Sequence, residues 1–177
     1  TIAFCFSLEE EGNFNWFRTH ELHLHYCLFA GKFEEALVVF ENATKHGKFE
    51  SLGGAVRDNW HIYGGYLHLL AALGKLEITK VEEIVGTFRY GKLSNEIEVL
   101  DKDKLGMNIP LIFLPVIYHL VKGTFDTADI STEALEKYRK RHLDNDMNRR
   151  SAAFLNMLIA FAMRDYKSAT AERKITK

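Results

Sequence analysis

The stretch from Gly31 to Ala43, Gly-Lys-Phe-Glu-Glu-Ala-Leu-Val-Val-Phe-Glu-Asn-Ala, constrains the fold more than any other. A glycine after a helix takes positive φ without steric cost and lets the backbone satisfy the last carbonyls. Phe33, Leu37 and Phe40 then recur at helical spacing and give the next helix an apolar stripe. Ala36 and Ala43 lie on that buried side, where their small side chains let a neighbouring helix approach closely. Glu34 and Glu35 occupy the first turn, where the helix dipole favours negative charge. Weaker echoes follow at Gly74-Lys75-Leu76, Gly123-Thr124-Phe125 and Asp165-Tyr166. The equivalent turn positions, Gly31, Gly74, Gly123 and Arg164, are 43, 49 and 41 residues apart. Periods of this size, each holding two helices, predict stacked antiparallel hairpins.

The periodicity predicts helices over about 13–30, 33–45, 55–73, 109–121, 126–142 and 148–163, with a short last one from Tyr166. Two apolar stripes run along the first helix: Phe17, Leu24 and Leu28, then Leu22, Tyr26 and Phe29. Apolar groups on several sides predict neighbours on several sides. Gly64-Gly65 falls inside the third helix, which predicts close packing by a crossing helix there. Thr79 and Glu82 have the spacing of a capping box, with Val81, Ile84, Val85 and Phe88 continuing the period. Asn108 is placed to cap the apolar segment 109–121, and Pro115 to bend it.

The 177 residues suit a single domain, 1–177, of about four helix pairs around one core. Thr1 stands where a methionine would begin, which fits a piece of a longer chain. Two prolines and 47% hydrophobic residues favour an all-α chain. The 23 basic and 24 acidic residues nearly cancel, so no general attraction to nucleic acid or anionic membrane is expected. The most apolar run, Met107 to Val121, is shorter than the roughly 20 residues a membrane span needs and contains Pro110, Pro115 and His119. Cys5 and Cys27 lack any zinc-ligand or Cys-x-x-Cys spacing and read as buried thiols, as in a cytoplasmic protein.

Gly31, Phe33, Ala36, Phe40 and Ala43 match the second half of a tetratricopeptide repeat at that family's spacing. Phe125 with Ala128, and Tyr166 with Ala169, repeat its aromatic-x-x-alanine part. The chain thus resembles a divergent tetratricopeptide protein, with His20 and Leu24 at the family's usual tryptophan and glycine positions. Thr79 takes an alanine position, and the repeats exceed the roughly 34 residues typical of the family. The resemblance implies a right-handed α-α solenoid that binds a peptide or protein partner in a concave groove and carries no catalysis. It places Arg18, Glu21 and His25 of the first helix, with His61 and His68 of the third, on the groove side. Phe113, Ile117, Phe154, Leu158 and Phe161 hold those positions in the last two repeats. They are too apolar for open water, so either the superhelix closes on itself there, or that end is an interface with a further segment or another chain, self-association included.

Chemical motifs give less. His20-Glu21-Leu22-His23-Leu24-His25 lacks the second histidine of the zinc-protease pattern, because Leu24 sits in its place. His20 and His23 still share a helical face. Asp144, Asp146 and Asn148 open like a calcium loop, but Arg149 and Leu155 replace its glycine and closing glutamate. Lys137, Arg139, Lys140, Arg141, Arg149 and Arg150 form a basic concentration with only Tyr138 as an aromatic platform. The expectation is a non-enzymatic scaffold module without metal or cofactor. The rival readings are an all-α enzyme or metal-binding domain using helix-borne histidines, and an RNA-binding solenoid.

Overall fold

Asn13 opens the first helix of the computed structural model: its Oδ1 accepts the Trp16 backbone N–H at 2.7 Å. The structure describes residues 10–87, 109–123, 136–137, 139–140, 149–150 and 152–160. Among these there are helices and turns but no strand, in keeping with the all-α expectation. The chain divides into two compact units, 1–89 and 90–177.

In the first unit, α1 (Phe14–Phe29) reverses at Gly31 into α2 (Phe33–Thr44). Lys32 N–H donates to the Cys27 carbonyl at 2.8 Å and Gly31 N–H to that of Leu28 at 3.3 Å, with Gly31 at φ 70°. These bonds make a Schellman closure, which only glycine enters without strain. The same device ends α3 (Gly54–Ala72). Lys75 N–H donates to Leu70 and Gly74 N–H to Ala71, both at 2.9 Å, with Gly74 at φ 68°. Helix α4 (Ile78–Val85) follows, and a 3-10 turn, Phe49–Ser51, links α2 to α3.

Helix α1 packs on α2 and α3 on α4, while α2 also touches both α3 and α4. The core draws Phe17, Leu24 and Cys27 from α1; Ala36, Leu37, Phe40 and Ala43 from α2; Trp60 and Leu67 from α3; and Val81 from α4. The close crossing expected at Gly64 is present. A Cβ there would lie 2.8 Å from Val85 Cγ1 and 3.2 Å from Phe40 Cζ.

Three local expectations are corrected. Thr79 lies inside α4 rather than capping it; Glu77 holds the N-cap position, and the Thr79 hydroxyl donates to Glu77 Oε1 at 2.6 Å. The buried Leu76 anchors the chain so early that the helix has already begun at Ile78. Helix α4 also ends at Val85, with Gly86 at φ 85°, and Phe88 lies outside the described residues. Finally, Leu22, Tyr26 and Phe29 are exposed, so among the described residues the second stripe of α1 has no covering neighbour.

In the second unit, α5 (Ile109–Lys122) ends at Gly123, φ 68°, whose N–H donates to Leu120 at 3.2 Å. Phe113 and Val116 of α5 pack with Leu155, Leu158 and Ile159 of the helical stretch 152–160, and Ile117 lies against them. Phe113 and Phe154 meet edge to face at 5.0 Å. Four of the five apolar groove positions thus contribute to packing within this unit, while Phe161 lies outside the described residues. So do Asn108, Arg141, Asp144, Asp146, Asn148, Arg164 and Tyr166. Among the described residues, no helix is long and apolar enough to cross a membrane.

Candidate functional site

Helix α1 presents two chemically different faces. At 3.6 residues per turn, Phe14, Arg18, Leu22, His25, Tyr26 and Phe29 fall within about a third of the circumference. Trp16, His20, His23 and Cys27 lie on the opposite side.

The first face carries the sequence-expected groove residues of α1. Leu22, Tyr26 and Phe29 are 64%, 48% and 92% exposed. They surround exposed Arg18 and half-buried His25. Glu21 sits at the margin of this face but is buried. It pairs with Arg18, and its Oε1 accepts from Tyr63 OH at 2.6 Å, tying α1 to α3. Burial, together with that carboxylate, pushes the Tyr63 hydroxyl well above the ordinary tyrosine range, so it remains a donor. His25 meets the Tyr63 ring edge to face at 5.1 Å. Of the two α3 histidines, His61 is exposed, whereas His68 is buried. His68 Nε2 donates to the Gly86 carbonyl at 2.8 Å and fastens the end of α4. Burial lowers its pKa. The five candidates therefore separate: Arg18, His25 and His61 offer surface, and Glu21 and His68 hold helices together.

The opposite face of α1 meets α2 in an open cleft of about 620 Å3 lined by Trp16, His20, His23, Glu35 and His46 among others. His20 Nδ1–H donates to the Trp16 carbonyl at 3.0 Å, and its ring lies 3.7 Å from the Trp16 ring centroid. Burial holds His20 below the ordinary histidine pKa. Lys48 N–H donates to His46 Nδ1 at 3.1 Å, which leaves the proton of neutral His46 on Nε2, 3.8 Å from Glu11.

His23 and Glu35 from this lining and the buried Cys27 bring one donor atom each within 4.8 Å of one another. His23 Nε2 donates to Glu35 Oε1 at 3.1 Å, while Lys32 Nζ lies 3.2 Å from Oε2. Hydrogen bonds from Lys32 and then His23 hold the Glu35 carboxyl below its ordinary pKa. Burial first, and Glu35 second, raise the Cys27 thiol. Sequence reasoning paired His20 with His23 and missed this set. The available signal was His23 and Cys27 four apart on one helix, followed by an acid in the first turn after a tight reversal.

A scan against protein-family models finds no match to this chain, and searches of curated proteins and of solved structures find none either.

Proposed function

We propose that the chain is a non-enzymatic tetratricopeptide-like module that binds a peptide or protein partner, and that the partner presents an amphipathic helix to α1. The observation that carries this reading is the exposed row Leu22, Tyr26 and Phe29, at the i, i+4, i+7 spacing of a helix-packing stripe. Within the chain, stripes of this kind are roofed by the next helix, as α2 is by α3 and α4. A helix supplied in trans satisfies the same need. Arg18 and His25 within the row favour acidic residues at the edge of the incoming helix. The repeated Gly-Lys closure supports the solenoid part of the reading, because it builds successive hairpins with one device.

The test is a displayed library of amphipathic helical peptides selected on the whole chain. Selected peptides are expected to bind at least about tenfold more weakly to a Leu22→Ser, Phe29→Ser variant, a loss of about 1.4 kcal/mol. The variant should melt as the parent does, because both side chains are already in water. Peptides indifferent to these changes, or a library that yields none, would remove the proposal.

A further inference from the structure

We infer that His23, Cys27 and Glu35 form a divalent-metal site of the zinc class that clamps α1 to α2. This site is independent of the α1 outer face, so it stands or falls apart from the partner-binding reading. Three observations converge on it.

The first is donor chemistry. An imidazole nitrogen, a sulfur and a carboxylate oxygen suit borderline-soft Zn2+ better than Mg2+ or Ca2+, which favour oxygen alone. The second is placement. His23 and Cys27 are one helical turn apart on α1, and Glu35 is carried back to them by the closure at Gly31. Three ligands come from rigid helices on the two arms of one hairpin. Bonds of about 2.0–2.3 Å at tetrahedral angles put donor atoms roughly 3.3–3.6 Å apart. The His23–Glu35 pair already has 3.1 Å. The contraction that remains falls to the two pairs involving Cys27 Sγ, none of them beyond 4.8 Å. Glu35, 44% exposed, can swing toward Sγ, while the His23–Cys27 pair, one turn apart on α1, closes by side-chain rotation.

The third observation is the surrounding support. Lys32 holds Glu35 through Oε2 and leaves Oε1 to face His23. A cation therefore takes the place of the hydrogen bond between His23 and Oε1 without displacing Lys32. His23 and Glu35 also line the open cleft, so water can occupy the fourth position. Binding forms an Sγ–metal bond as the thiol proton leaves to buffer. Coordination through Nε2 moves the His23 proton to Nδ1 by way of solvent. No electron is transferred.

The test titrates the whole, reduced chain with Zn2+ and with Co2+, following heat and absorbance without any peptide present. The expected result is one ion per chain and a thiolate-to-cobalt charge-transfer band. Cys27→Ser abolishes the band, and Glu35→Gln weakens Zn2+ at least about tenfold, since losing a ligand costs no less than losing an outer-shell partner. Glu34→Gln, the same charge change one residue away, leaves affinity unchanged. Cys27 is fully buried, so its variant risks misfolding; Glu35→Gln, at an exposed position, carries the decision if it does. Absence of saturable binding, a cobalt spectrum without the sulfur band, or equal losses in Glu34→Gln and Glu35→Gln would each overturn the proposal.

Discussion

Gly64 is where a single hydrogen atom decides how near three helices come. Alanine there gains about 1 kcal/mol of helix propensity. Its methyl group meets Val85 Cγ1 at 2.8 Å, on a β-branched side chain that cannot swing aside cheaply. Overpacking of this kind costs about 1–3 kcal/mol, so after that gain Gly64→Ala should lose up to about 2 kcal/mol in urea unfolding. Gly47→Ala is the control: nothing lies within 4 Å of its Cβ and its φ is not left-handed, so it should be neutral or gain under about 1 kcal/mol. His68 supports a second prediction. Its ordinary pKa is 6.5 and burial lowers it in the folded chain. As pH falls through 6.5 the unfolded chain takes up this proton before the folded one. Stability is therefore full above that value and declines below it, levelling once the folded-state pKa is passed. His20 is shifted the same way and adds to the slope. The urea midpoint should fall between about pH 7.5 and about pH 5.5, and His68→Gln, which keeps a donor for Gly86, should flatten that fall. A midpoint that holds or rises on acidification contradicts the assignment. At this scale the sequence was legible where one residue type has one physical use, as at Gly31 and Gly74. It was illegible at Glu21 and His68, because a polar residue on a helix does not declare whether its partner is water or Tyr63.

Helix α2 shows how an element acquires its neighbours. Ala36 and Ala43 are fully buried beside Leu37 and Phe40, as the small-residue pattern implies. Ala43→Leu should cost about 1–3 kcal/mol by overpacking, whereas Val38→Leu, at an exposed site on the same helix, should change stability by under about 0.5 kcal/mol. Equal effects at both sites in denaturant titrations would mean that α2 is not seated as described. The positions of α1, α2 and α3 were readable to within a residue or two, since periodicity and glycine closures agree. The capping box was misread because Leu76 starts the helix ahead of Thr79, a tertiary demand that local spacing does not carry. The second stripe of α1 reads as core in one dimension; only the fold shows Leu22, Tyr26 and Phe29 left in water. The His23, Cys27 and Glu35 set was hidden for a related reason, since two of its members share a helix and the third arrives across a reversal.

For the whole molecule, the division at 89/90 has a direct test. The first unit holds its own core, from Phe17 through Trp60 to Val81. A chain ending at Arg89 should therefore retain its helix content and unfold in one cooperative step with urea, although a unit this small has little margin. A gradual loss of signal without a transition would show that its core depends on residues 90–177. The two Gly-Lys reversals bear on descent as well as on folding. Each is sealed by main-chain groups of its own hairpin and asks only a glycine of the genome. A stretch of gene encoding one such hairpin could thus be copied or dropped in frame with its own joint still closing.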